Sequence, residues 1–191
     1  MRHILACLLL TYPLHAAPST SINPVPPEPK TVKPAETSRL DLTGVDDNLT
    51  ATKRTKAFLT KLGYQTKYPT SQPTDGIWIT DTVIGLTVRA LADKDGIDRL
   101  VISCGVPGKG LKLHENLEAL QALSYLNSNY NTCTIILTEH GDVGFCTSLN
   151  FSDTLDAKVL REHIEYLLGV VTYFITTDEP ATAAAMKKLV K

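Results

Sequence analysis

Two alternating runs joined through an aspartate-glycine pair limit the fold of this chain more than any other feature. Ile84, Leu86, Val88 and Ala90 alternate with Gly85, Thr87 and Arg89. Leu100, Ile102, Cys104 and Val106 alternate again after Asp95-Gly96. An apolar period of two belongs to strands with one dry and one wet face, and Asp-Gly favours a tight hairpin turn. Ile77-Trp78-Ile79 and a short stretch from Tyr64 to Tyr68 read as further strands. The middle of the chain is therefore expected to be an antiparallel meander.

Helical periodicity frames the meander. Asp46, Asp47 and Asn48 are N-cap residues for a helix with Ala51, Phe58, Leu59 and Leu62 on one face and Lys53, Arg54, Lys56 and Lys61 on the other. Gly63 closes it. A second helix is expected over roughly His114 to Tyr130, carrying Leu117, Leu120, Leu123, Leu126 and Tyr130. Thr132 to Glu139 and Val143 to Phe151 form a hairpin turned at His140-Gly141-Asp142. A third helix starts near Asp156 with Val159, Leu160, Ile164, Leu167, Leu168, Val171 and Phe174, and Pro180 ends it. Residues 181–191 are left as a frayed or separate helical tail. The order α-β-β-β-α-β-β-α predicts an α+β fold, an antiparallel sheet with helices packed on it.

The N-terminus speaks to compartment. Met1-Arg2-His3 is a short basic start, Ile4 to Leu10 is an unbroken apolar run, and Ala16 and Ala17 are small residues suited to cleavage. That layout is a secretory signal peptide over residues 1–16. The run is about half the ~20 residues a spanning helix needs, and Pro13 breaks a longer one. A lipoprotein reading would cleave before Cys7, but the apolar run continues past that residue. No stable membrane insertion is expected once the signal is removed, which predicts a periplasmic or secreted protein. Residues 17–44 hold six of the eleven prolines and read as a disordered spacer, the alternative being a proline-rich ligand for a partner domain. The folded domain is then expected over 45–178 and the tail over 179–191.

Charge and motifs exclude several functions. With 19 Lys+Arg against 20 Asp+Glu, the net charge of −1 leaves no footprint for nucleic acid. Counting a calcium loop from Asp93 puts Ile97 at position 5 and Asp98 where glycine belongs, so the segment reads as a hairpin turn. Gly105 to Gly110 lacks the spacing that wraps phosphates. His114, His140 and His163 stand on a helix start, a turn and a helix body, without metal-ligand spacing. No catalytic residue, metal or cofactor is expected, and the chain is read as no enzyme.

Three cysteines remain after signal removal: Cys104, Cys133 and Cys146. Burying both apolar faces of the hairpin needs an odd-length loop, which puts Cys146 on the face opposite Cys133 and prevents their bridging. A Cys104–Cys133 disulfide requires their strands to be neighbours; otherwise these are buried free thiols. Trp78 is either an interaction anchor or core. Asn127 and Asn131 are either recognition residues or caps for the helix end and its turn. Tyr130 joins them as a candidate contact.

From Phe58 to Phe174 the chain resembles the YbjN-domain family, described as bacterial sensory transduction regulators. The residues that carry the resemblance are Leu59-Thr60-Lys61-Leu62-Gly63-Tyr64, then Leu123-Ser124-Tyr125-Leu126-Asn127-Ser128-Asn129-Tyr130-Asn131 leading into Cys133-Thr134-Ile135-Ile136-Leu137. The resemblance implies a fold like that of type III secretion chaperones, which bind other proteins and often pair with themselves. It implies no catalytic residues. The export signal and proline-rich spacer set this chain apart from many relatives and fit a bacterial periplasm. The expected role is an exported protein-binding module, chaperone-like or regulatory, with a protein partner or a second copy. The alternative is a small-ligand sensor or an enzyme using a pocket between helices and sheet.

Overall fold

A computed structural model describes residues 38–82, 84–93, 97–111, 116–130 and 133–190. The expected signal, Ala16 and Ala17 with it, and Asn131 lie outside them. The described residues form β1 (Arg39–Asp41), α1 (Asn48–Lys61), β2 (Thr66–Lys67), a 3-10 turn (Pro73–Asp75), β3 (Ile77–Ile79), β4 (Leu86–Leu91) and β5 (Asp98–Val106). These are followed by α2 (Leu117–Asn129), β6 (Thr134–Leu137), β7 (Val143–Phe151), β8 (Thr154–Asp156), α3 (Ala157–Thr176) and α4 (Pro180–Leu189). The protein is α+β. One antiparallel sheet runs in the order β2-β3-β4-β5-β7-β6, and β1 and β8 form a separate pair.

The alternation that predicted the meander sets its two faces. Ile77 and Ile79 from β3, Leu86 and Val88 from β4, and Leu100 and Ile102 from β5 are all fully buried. Phe145 of β7 and Ile135 of β6 join them against Phe58 and Leu59 of α1 and Leu160, Ile164, Leu167, Val171 and Phe174 of α3. Cys104 faces inward, and Cys146 lies on the other side of the sheet opposite Thr134. The five residues between Leu137 and Val143 keep the predicted odd loop parity. β7 separates the strand of Cys104 from β6, which Cys133 immediately precedes, so their strands are not neighbours and no disulfide joins them.

α1 begins where Asp47 accepts from the Thr50 amide at 2.8 Å and ends at Gly63. There the Tyr64 amide donates to the Leu59 carbonyl and the Gly63 amide to that of Thr60, a closure that needs the left-handed backbone of Gly63 at φ 98°. Asn48 belongs to the helix rather than capping it, and its side chain accepts from the Ala92 amide at 3.0 Å.

Three expectations need correction, and the choice left open for the tail is decided. The spacer does not extend to residue 44: β1 pairs with β8, and Leu40 and Leu42 are buried, so apolar burial anchors the chain from Arg39 onward. α2 buries Ala119, Ala122, Leu123 and Leu126, while Leu117 is 68% exposed and Leu120 is exposed too. The alanines face α4, where small side chains permit close helix approach, and this turns the two leucines outward. Val159 is exposed rather than core, one step off the buried stripe of α3. Residues 181–189 are not frayed: they lie in a separate helix, as the other alternative for the tail has it, and that helix packs against α2 and α3. Pro180 is the first residue of α4, Glu179 caps it through the Ala181 and Thr182 amides, and Ala185, Met186 and Leu189 are buried.

Candidate functional site

With α1 and α3 on the inner face of the sheet, the outer face is built from the polar half of the alternation. Strand register aligns its side chains in transverse rows. Lys67 stands opposite Trp78, Trp78 opposite Thr87, Thr87 opposite Ser103, Ser103 opposite Cys146 and Cys146 opposite Thr134. A second row is Arg89, Val101 and Ser148, and a third is Leu91, Arg99 and Asn150. The side chains are mostly small, so Trp78 stands above its neighbours, 39% exposed. Its ring takes the Lys67 ammonium at 4.5 Å from the centroid, a cation–π contact. The indole also rests on Gly85, where a Cβ would sit 2.6 Å from its Nε1. Trp78 is thus on the wet face of β3, outside the core. Lys67, Arg89 and Arg99 are the charged residues of the three rows, and no carboxylate stands in them.

The edge of this surface is closed in one place by Asn127. Its Nδ2 donates to the Ile135 carbonyl at 2.8 Å and its Oδ1 accepts from the Ile135 amide at 2.8 Å. A side-chain amide therefore takes the place of a neighbouring strand along β6. Neither role expected of Asn127 describes this one, a clamp between α2 and the sheet. A cavity of about 660 Å³ opens beside it, lined among others by Arg99, Val101, Asn127, Cys146 and Ser148.

Tyr130 lies away from the outer face. Its hydroxyl bonds those of Thr182 and Tyr173, and its ring meets Phe174 edge-on at 4.9 Å, tying the end of α2 to α3 and α4. Tyr130, Tyr166, Gly169, Val170, Tyr173 and Phe174 line a second cavity of about 390 Å³.

No protein-family model matches the chain, and no curated protein matches it.

Titratable groups follow their surroundings. Burial pushes the Cys104 thiol up to about 12, with Cys146 and Cys133 adding to the shift, and burial raises Cys146 as well. Burial lowers His163, whose Nε2 lies 2.9 Å from the Thr147 hydroxyl. Burial raises Asp98, against the pull of the Asp93 and Asp153 amides. Among the described residues no three His, Cys, Asp or Glu gather as metal ligands, and no helix is long and apolar enough to cross a membrane. What the arrangement offers is a surface for contact: an exposed indole, three cations and short hydroxyl side chains on a rigid sheet. Lys67 and Gly85 were not singled out from sequence. The signal for both was present, since Gly85 is the smallest residue of its alternating run and Lys67 lies in the strand that precedes Trp78.

Proposed function

We propose that this chain is an exported, non-enzymatic protein-binding module that works in the periplasm or outside the cell, in a chaperone-like or regulatory way. The observation that carries the proposal is the open outer sheet face with Trp78 held upright between Lys67 and Gly85. A half-exposed Trp fixed by its neighbours loses little side-chain freedom on association, which is why such residues concentrate binding energy. The expected signal peptide supports export, and the YbjN resemblance supports a regulatory role without catalysis.

The test is site-directed photo-crosslinking in cells. A photoreactive side chain at Thr87, beside Trp78, should capture one protein repeatedly, and the same group at Lys53 on the exposed face of α1 should not. Equal capture from both positions, or none from Thr87, sinks the proposal. Self-capture from Thr87 would make the partner a second copy.

The aromatic cavity at Tyr130, Tyr166 and Tyr173 favours a second reading, a sensor of small ligands or an enzyme acting on them, because its lining is almost wholly apolar and aromatic. A metabolite that raises the melting temperature of the protein, and no longer does so in Tyr166→Ala, would favour it over the first.

A further inference from the structure

The Asn127 clamp fixes which way every backbone group on the β6 side of the sheet points. Because Asn127 takes both the amide and the carbonyl of Ile135, that residue faces away from β7. Neighbouring residues of an antiparallel ladder alternate, so Thr134 and Ile136 face β7 and bond Cys146 and Gly144. The same alternation continued along β7 sends the amides and carbonyls of Ser148 and Asn150 toward the β6 side. β6 begins at Thr134, opposite Cys146, so it stops short of them. Among the described residues no strand borders Ser148 and Asn150 there, and both are exposed. The cavity beside Asn127 opens at this point.

Two surfaces flank the gap. On the inner side, His163 of α3 reaches Thr147 of β7, and Val159 and Tyr166 share that flank at helical spacing, both exposed. On the outer side, Arg99 Nε donates to Asn150 Oδ1 at 2.9 Å, so its guanidinium leans across β7 toward the same edge with no carboxylate in its row. We propose that the Ser148–Asn150 edge of β7 receives an extended segment of a partner protein by strand addition, with apolar side chains set onto Val159 and Tyr166 and acidic ones beside Arg99. Backbone pairing supplies the register, and the two flanks supply selectivity for alternating apolar and acidic residues. This names the partner's chemistry and so rests on the protein-binding reading.

The test uses the full chain and a short synthetic peptide of alternating valine and glutamate. In the free protein the Ser148 and Asn150 amides should exchange quickly with solvent, and the peptide should slow both. A peptide N-methylated at alternate residues, which cannot pair, should bind about tenfold or more weakly. Arg99→Glu should weaken the glutamate peptide and favour a lysine counterpart. Amides already protected in the free protein, or binding indifferent to N-methylation, overturn the proposal. If Thr87 captures a partner in cells while the peptide leaves Ser148 and Asn150 unprotected, the binding role stands and strand addition fails. If neither occurs, both fall.

Discussion

Asn127 Nδ2 and Oδ1 each lie 2.8 Å from the backbone of Ile135, so one side chain on α2 satisfies both outward groups of that residue on edge strand β6. Exposed strand edges invite pairing with other chains, and covering them is a common protection. Asn127→Ala leaves an amide and a carbonyl without their partner, which should cost about 1–3 kcal/mol. Asn127→Asp keeps the acceptor for the Ile135 amide but sets an anionic oxygen against the Ile135 carbonyl, so it should cost at least as much as alanine. Urea unfolding of the three proteins measures this, and an alanine variant as stable as the parent would show that the clamp contributes nothing.

The thiols give a second expectation. Cys104 is buried with a pKa pushed up to about 12, and a thiol reacts through its thiolate. In the folded protein at neutral pH, Cys104 should resist iodoacetamide, and half-buried Cys146 should be alkylated before it, slowly because burial raises its pKa too. Peptide mapping after timed labelling distinguishes them. Labelling of Cys104 first would mean that the sheet opens locally.

The fold was legible where a period repeated. The alternation in 84–90 and 100–106 announced which side of β4 and β5 is dry, and loop parity in the 134–151 hairpin placed Cys146 opposite the core. Legibility failed where burial depends on a neighbour distant in sequence. Leu117 and Leu120 are apolar and helical, yet α2 turns alanines inward because α4 packs there. A helical tail after Pro180 was legible, but its docking on α2 and α3 was not, because the surfaces it covers belong to distant segments. Of the candidate site, Trp78 was visible as the chain's single Trp, but its exposure hung on strand register. The role of Asn127 was not readable, since nothing in its own segment indicates that Ile135 stands on an edge.

Gly85 and Trp78 form a pair that a single methyl group disturbs. A Cβ at Gly85 would lie 2.6 Å from indole Nε1 and 3.3 Å from Cε2, so the ring has to move aside. Gly85→Ala should swing the indole off the strand and destabilise the protein by about 1–3 kcal/mol. Trp78 is the only Trp in the chain, so its emission reports the change directly. Unchanged emission and unchanged stability together would mean that the ring is not held there.

Thr52 and Thr55 carry a reserve of stability. Both are fully buried on α1, and among the described residues neither hydroxyl has a hydrogen-bond partner. Thr60, on the same helix, bonds back to the Lys56 carbonyl at 2.9 Å. Replacing a buried, unpaired hydroxyl with a methyl of the same shape removes a desolvation cost of about 1–3 kcal/mol. Thr52→Val and Thr55→Val should each leave the melting temperature unchanged or raise it by a few degrees. A clear fall in either variant would reveal that its hydroxyl is bonded after all.

His163 gives the fold an acid sensitivity whose sign can be worked out. Burial holds its pKa below the ordinary 6.5, so the folded protein favours the neutral ring more than the unfolded chain does. Such a group contributes its full stability above the unfolded value, and the contribution is lost as pH falls through the lowered folded value. Asp47, held low chiefly by the Thr50 amide, and Glu179, held low by the Thr182 side chain and then the Thr182 and Ala181 amides, lose theirs only further down, below the usual 3.8 and 4.5. Asp98 has the opposite sign: burial raises its pKa, so its penalty vanishes in acid. Between neutral pH and about pH 5, where His is the side chain that ordinarily titrates, the melting temperature should drop more in the parent than in His163→Gln. Glutamine keeps a polar group near the Thr147 hydroxyl and takes up no proton. Parallel melting curves over that interval, with equal drops for the two proteins, would assign the acid sensitivity to other groups.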